Sequence, residues 1–385
     1  MNEPGYKNIA ILRLSALGDI VHTLRAFTLL RGAYPQAKIS WFVEPAGAKL
    51  LENFQGIDQI IIIDFKKKGL VNKLKEIKRI RSQYAKTKTF DLVLDFQGLL
   101  KSAVLAFLLN GTLSVGFHKK NLREPAARFF YKRTVDFFYE NSRDDLADPS
   151  GHINHAHHVV LKNIHLANFN GRIAALTPSL PLAPTLTHPN NIKPLDWGGI
   201  NVKLKDLAPW EKSVQEFLTR HRLEIKNFLT VNIGGGWESK LLFPRQYIEI
   251  VNGVREKYGS NIVILWGNQK EQIAAQEISR ETGAVMTDFF NFSQLLVFLR
   301  YSRLLVSGDS LPLHLADLVK TPSVGIFGPT SPFRNGSLMA DSVSIYEKLS
   351  CGFCYKKKCG TIDCIKNINI NKIIQAIGKL YEKFY

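Results

Sequence analysis

Cysteine is scarce in this chain: four residues in 385 are too few for a disulfide scaffold, and they suit a reducing compartment. Long apolar runs are missing as well, and none reaches the roughly 18 residues that a bilayer-spanning helix needs. The opening residues, MNEPGYKN, have neither the basic flank nor the apolar core of an export signal, so no export is expected. There is no repeat of solenoid period and no low-complexity tract. Acid is short too, with 33 Asp and Glu against 51 Lys and Arg, which leaves a net charge of +18. What remains, 45% hydrophobic and 22% charged, is the composition of a globular protein with room for two domains of ordinary size.

Part of the surplus charge is concentrated. Residues 66 to 88, KKKGLVNKLKEIKRIRSQYAKTK, hold ten Lys or Arg against the single Glu76. Such a run is a solvated helix face, or it attracts a polyanion: anionic lipid heads, a phosphorylated glycolipid or nucleic acid.

Strand and helix patterns alternate through the first half. NIAILRL, KISWFVE (38 to 44), DQIIIIDF (58 to 65) and FDLVLDFQG (90 to 98) read as strands, and LLKSAVLAFLL as a helix. Between residues 174 and 195 five prolines forbid a continuous helix and favour an extended connector. Strands then resume as NFLTVNIGG, NIVILWG, SRLLVSGD and PSVGIFGP, with helices between them, and residues 370 to 385 read as a closing amphipathic helix. Repeated strand–helix units predict parallel sheets covered on both faces. The expected organisation is an N-terminal Rossmann-like domain at 1–174, a Pro-rich linker at 175–200, a second Rossmann-like domain at 201–368 and a C-terminal helix at 369–385, with a cleft between the domains.

Ligands of such sheets sit at the carboxyl ends of the strands, and four loops there carry chemistry. In the first, Gly18-Asp19 stands at the mouth of a helix expected from Ile20 to about Arg31. Asp19 is either an N-cap, worth about 1 kcal/mol over Ala, or a base aimed at a substrate. In the second, NIGGGWESKLLFP (232 to 244), three glycines let the backbone approach a ligand, and Lys240 can neutralise a phosphate. In the third, Gly308, Asp309 and Ser310 end a strand before a helix whose N-terminus suits a pyrophosphate, with His314 four residues beyond Ser310. The fourth, DFQGLLKSA with REPAARFFYKR, contributes Lys101, Arg123, Arg128, Lys132 and Arg133 as a basic wall. Apart from these, Cys351, Cys354, Cys359 and Cys364 follow a C-x2-C-x4-C-x4-C spacing. Four thiolates can hold a structural zinc, although the usual two-knuckle spacing is absent. No cluster of carboxylates or histidines suggests a catalytic metal.

Taken in order, LRLSALGDIVHTLRA, WGNQKE and VSGDSLPLHLADLVKTPSVGIFGPTSP resemble the lipopolysaccharide heptosyltransferases, glycosyltransferase family 9. The segment DLVLDFQGLLKSA…REPAARFFYKR is similar to the heptosyltransferase I branch, whereas the cysteine-rich tail is more like heptosyltransferase II. The resemblance implies a GT-B fold, an ADP-heptose donor, inversion at the anomeric carbon and no required cofactor. It makes Asp19 the catalytic base, and it gives Gly18, Lys101 and Arg123 to a phosphorylated glycolipid acceptor, the Kdo region of Kdo-lipid A. Donor contacts would come from Lys240 and the Gly235-Gly236 backbone at the diphosphate, Glu271 at the adenosine ribose, and Asp309, Ser310 and His314 at the heptose and phosphates. Leu311 stands where the family often has Gly, and Gly235 and Gly236 where it often has Thr, which leaves fewer side-chain contacts to the sugar. A monomer at the cytoplasmic face of the inner membrane, with no nucleic-acid partner, is expected. The alternatives are a family 9 transferase with another donor or acceptor, a GT-B epimerase, and a non-catalytic basic protein that binds lipid or nucleic acid.

Overall fold

The computed structural model describes residues 5–65, 70–85, 89–136, 158–174 and 200–383. The proline-rich connector at 175–199 lies outside the described residues, as do residues 66–69 and 86–88 of the basic stretch. By internal contacts the chain forms two compact units, Met1–Lys205 and Asp206–Tyr385.

The first unit is a six-stranded parallel sheet built from β1 (Asn8–Leu12), β2 (Lys38–Val43), β3 (Gln59–Ile62), β4 (Leu92–Asp95), β5 (Leu113–Phe117) and β6 (Arg133–Val135). Its helices are α1 (Leu17–Ala33), α2 (Pro45–Leu51), α3 (Leu70–Ile80), α4 (Leu100–Leu108) and α5 (Val159–Ala167). The spatial order is β3-β2-β1-β4-β5-β6. Ile9 to Leu12 of β1 and Leu92 to Leu94 of β4 are wholly buried, as expected of central parallel strands covered on both faces.

The second unit repeats the plan. Its strands are β7 (Phe228–Asn232), β8 (Asn261–Leu265), β9 (Val285–Met286), β10 (Leu304–Gly308), β11 (Ser323–Phe327) and β12 (Ser342–Tyr346). They lie in the order β12-β11-β10-β7-β8-β9, again all parallel. The helices are α6 (Ala208–Arg220), α7 (Pro244–Tyr258), α8 (Gln269–Thr282), α9 (Phe292–Tyr301), α10 (Leu311–Leu318), α11 (Pro332–Asn335), α12 (Asp363–Lys366) and α13 (Ile370–Lys383). Counted from the start of each unit, both sheets have the order 3-2-1-4-5-6, which reverses direction between the first and fourth strands. That reversal opens a crevice at the strand carboxyl ends, between β1 and β4 in one unit and between β7 and β10 in the other.

The closing helix α13 lies against α7 at a distance only glycine permits. A Cβ on Gly253 of α7 would stand 2.5 Å from Ile374 Cδ1, and one on Gly378 of α13 would overlap the Tyr258 hydroxyl at 1.8 Å. Ile373, Ala376, Ile377 and Leu380 join the apolar core there.

Candidate functional site

The crevice of the first unit is built around Arg13, which directly follows β1. The side chain is buried, with 6% of the residue exposed. One guanidinium nitrogen donates to Phe96 O, just past β4, and the other reaches Asp19 Oδ1 at 2.8 Å. The second Asp19 oxygen accepts the Ala16 N–H at 3.3 Å. This corrects the expected helix start. The helix begins at Leu17, one turn earlier than the sequence pattern suggests, and Ala16 occupies the N-cap position. Asp19 lies inside the first turn and satisfies a terminal N–H from there, the acidic half of a capping box. Alanine has no acceptor to supply the other half.

A second arm holds the same loop. Asp95 closes β4 with no exposed surface. Its Oδ1 accepts the N–H groups of Gln97 (2.8 Å) and Gly98 (3.2 Å), and its Oδ2 accepts the Tyr131 hydroxyl at 2.7 Å. Burial raises the Asp95 carboxyl above the ordinary range in spite of these hydrogen bonds. Gln97 then turns its Oε1 to the N–H groups of Leu14 (3.0 Å) and Ser15 (3.1 Å). The loop that leads into the first turn of α1, with Gly18 and Asp19, is thus tied to the end of β4 through Arg13 and through Gln97.

Of the basic wall, Lys101 is paired with buried Glu44 at 3.1 Å. Lys132 spends its ammonium on the carbonyls of Gly111 and Thr112, and Arg133 lies over the Phe169 ring. Arg123 is exposed, which leaves its guanidinium open to an anion.

The crevice of the second unit gathers Lys240, Asp309, Ser310 and His314. Lys240 Nζ lies 2.7 Å from Asp309 Oδ2 and 4.3 Å from the centre of the Trp237 ring. His314 Nε2 is 3.3 Å from Asp309 Oδ1, and Asn335 donates to Oδ2 at 3.2 Å. Burial on its own would raise the Asp309 pKa. The hydrogen bond from His314 and the charge of Lys240 outweigh it and hold the carboxyl well below the ordinary range. Ser310 is the N-cap residue of α10, and its hydroxyl oxygen accepts a hydrogen bond from the Asn232 side-chain amide at 2.9 Å.

Glu271 sits in the first turn of α8 and braces the glycine loop. Its oxygens accept the N–H of Gly235 (3.2 Å) and the N–H of Gly267 (2.7 Å). The glycine that geometry requires is Gly234, where a Cβ would stand 2.3 Å from Glu271 Oε2. Gly236 has open space around it, and at Gly235 a Cβ would meet Leu241 at 3.0 Å. The four cysteines are free thiols, one exposed and three half-buried. Among the described residues no three His, Cys, Asp or Glu side chains converge as a metal would need.

Arg13, Asp95, Gln97, Asn232 and Asn335 were not singled out by sequence pattern. A signal existed for two of them: Arg13 is the only charge in the run from Ile9 to Leu17, and Asn232 is a polar residue ending a buried strand.

Chemically, the second crevice offers a cation and a helix N-terminus to a diphosphate. The first offers a carboxylate whose two oxygens are each already oriented. The chain is similar to known proteins along most of its length. The family model for glycosyltransferase family 9 (heptosyltransferase) matches residues 79–142 and 200–364. Lipopolysaccharide heptosyltransferase 1 of Campylobacter coli is 27% identical over 336 residues, 85% of this chain and 85% of that one. The structure of Escherichia coli heptosyltransferase WaaC with ADP superposes with a TM-score of 0.66 at 21% identity, over 97% of this chain and 99% of that chain. A family 9 glycosyl transferase from Veillonella parvula gives a TM-score of 0.71 at 20% identity, over 98% of each. The expected GT-B fold is the fold observed.

Proposed function

The chain belongs to glycosyltransferase family 9, the heptosyltransferases, and from that premise we propose that it moves a heptose from ADP-heptose to the Kdo region of Kdo-lipid A in lipopolysaccharide inner-core synthesis. It is a glycosyltransferase by family. The observation that carries the choice of acceptor is the match to a heptosyltransferase 1 along 85% of both chains.

Asp19 is the general base in this scheme. An acceptor hydroxyl is a poor nucleophile at neutral pH, and a carboxylate that takes its proton as the new C–O bond forms contributes roughly 10²–10⁴ in rate. The bond from the anomeric carbon to the β-phosphate oxygen breaks on the opposite face, so the configuration inverts and ADP leaves. Lys240 and the N-terminus of α10 meet the charge that gathers on the departing diphosphate, with no metal called for. Lys240 is already paired with Asp309, so the donor phosphates would share the ammonium with that carboxylate. His314 and Ser310 line the same crevice and face the sugar and phosphates, and Glu271 meets the ribose while it braces Gly235. Gly236, with open space around it, presents backbone to the phosphates. Lys101, Gly18 and Arg123 face the anionic acceptor. The enzyme works as a monomer at the cytoplasmic face of the inner membrane, and no helix among the described residues is long and apolar enough to cross a membrane.

Leu311 and the side-chain-free Gly235 and Gly236 favour one other reading, a family 9 transferase that takes a different sugar or acceptor. Both are tested by ADP release from ADP-heptose with and without Kdo-lipid A. Acceptor-dependent release in the wild type that falls at least about 100-fold in Asp19→Ala, with the variant still folded, supports the scheme. No release by the wild type sinks this donor and acceptor pair and sends the question to a panel of donors. Retention of most of the rate in the mutant removes Asp19 as base.

A further inference from the structure

Helix α4 has only two polar residues, Lys101 and Ser102, and is apolar elsewhere, on its outer side as well as its inner one. Ala103, Leu105 and Ala106 face the core and are buried. On the outer side Leu100, Val104, Phe107 and Leu108 follow the i, i+4, i+7, i+8 spacing of a single helix face. Leu100 is 43% exposed and Phe107 63%. Contiguous exposed apolar side chains of this kind mark an interaction surface. The face continues onto the neighbouring 3-10 segment Pro125–Phe130, where Phe130 meets Phe107 edge to face at 6.1 Å between ring centres and Phe129 is 77% exposed.

The rim of this face is basic. The Arg128 guanidinium lies over the Phe129 ring at 4.8 Å. Arg123, Lys119 and Lys120 are exposed nearby. The adjacent acid, Glu124, is engaged in accepting the Leu100 N–H at 2.6 Å. Exposed aromatic rings beside cationic heads are suited to the boundary between lipid head groups and acyl chains, where the ring is buried and the cation stays at the phosphates. A second copy of this chain would set one basic rim against another, so charge disfavours self-association through this face.

We propose that the outer face of α4 together with Pro125–Phe130 is a membrane-docking surface that seats Phe107 and Phe129 in the interface of an anionic phospholipid bilayer, with Arg128 at the head-group phosphates. It extends the proposed function, resting on the reading of the acceptor as a membrane glycolipid, and it explains how the first unit meets a substrate that does not leave the bilayer. The occupant is the bilayer surface itself and not a single bound lipid, because the face is convex helix and exposed ring.

The test is co-sedimentation of the full chain with vesicles of phosphatidylglycerol and phosphatidylethanolamine, and with vesicles of phosphatidylcholine alone. The wild type is expected to bind the anionic vesicles and to remain free of the neutral ones. Phe107→Ser with Phe129→Ser is expected to weaken binding at least about ten-fold, and Arg128→Gln to weaken it less, because two rings carry the apolar term and Arg128 one charge. The double variant should keep the wild-type melting temperature and the wild-type rate of ADP release on a de-acylated, water-soluble Kdo-lipid A. Equal binding by double variant and wild type overturns the proposal, as does wild-type binding that ignores lipid charge. A wild-type dimer in sedimentation equilibrium that the double variant abolishes overturns it too, by making a second copy the occupant. Absence of ADP release from ADP-heptose in the presence of the soluble acceptor counts against the glycolipid reading alone, since vesicle binding is measured without turnover.

Discussion

On the scheme proposed above Asp19 must be aimed to take a proton, and its two oxygens are held by Arg13 and the Ala16 amide. Arg13→Lys keeps the charge but loses the fork that spans Phe96 O and Asp19 together. The expected result is a fall in kcat of about ten-fold, with the KM for donor unchanged because the residues proposed for the donor stand on the other unit; Arg13→Ala should fall further. Steady-state ADP release separates the two constants, and an unchanged kcat would reduce Arg13 to a structural strut. Lys240→Met tests the second crevice. It leaves the buried Asp309 carboxylate with His314 and Asn335 but without its ammonium, a loss of about 1–3 kcal/mol in stability. Added ADP should raise the melting temperature of the wild type and fail to do so for the variant. Single residues of this kind were legible to different degrees. Asp19, Lys240, Asp309 and His314 announce themselves as charged or titratable groups at strand ends. That Lys240 and Asp309, 69 positions apart in sequence, share one ion pair follows only from the pairing of β7 with β10. Arg13 sits inside an apolar run, where a charge reads as an interruption until Phe96 is brought opposite it.

Elements were read best where they are buried on both sides. The central strands β1, β4, β7, β10 and β11 carry continuous apolar runs, and each was visible. The edges were not. β3 has four residues where eight were expected, because its one neighbour, β2, ends at Val43, opposite Ile62. The strands β6 and β9 have three and two residues, too few to show a period. The start of α1 was misplaced because Gly18 and Asp19 are residues typical of turns, yet Asp19 can serve the terminal amide from inside the helix. Contact between helices gives a sharper test. Gly253→Ala should destabilise the α7–α13 contact by about 1–3 kcal/mol, since the new Cβ meets Ile374 Cδ1 at 2.5 Å. Ile374→Val removes that methyl group, and the double variant should recover most of the loss in a chemical denaturation cycle. Strictly additive losses would show that the clash is relieved elsewhere.

At the scale of the whole molecule, stability should depend on acid in a defined way. His165 on α5 is mostly buried, and desolvation lowers its pKa from 6.5 to about 4. A histidine depressed by folding stabilises the native state while neutral. That contribution is complete above the unfolded pKa and is lost as pH falls from about 6.5 towards 4, by at most about 3 kcal/mol. Asp309, held low in the fold, adds a further loss only under more acidic conditions, below the ordinary carboxylate range. Calorimetry from pH 7 to 4 should show the first slope in the wild type and a flatter limb in His165→Leu. The two-sheet plan itself was legible from the alternation of patterns, because each strand–helix unit is written locally, whereas the strand order depends on which buried edges find each other. That order has a consequence for how such enzymes diversify. Each half is wired as a complete nucleotide-fold module with its own crevice, so on the assignment proposed above the choice of acceptor and the choice of donor are encoded in separate stretches of the gene. A lineage can therefore acquire a new sugar acceptor by editing the first stretch while inheriting the second intact. A chimera that joins the first 205 residues of a relative with another acceptor to residues 206–385 of this chain should accordingly take that relative's acceptor and keep this chain's donor.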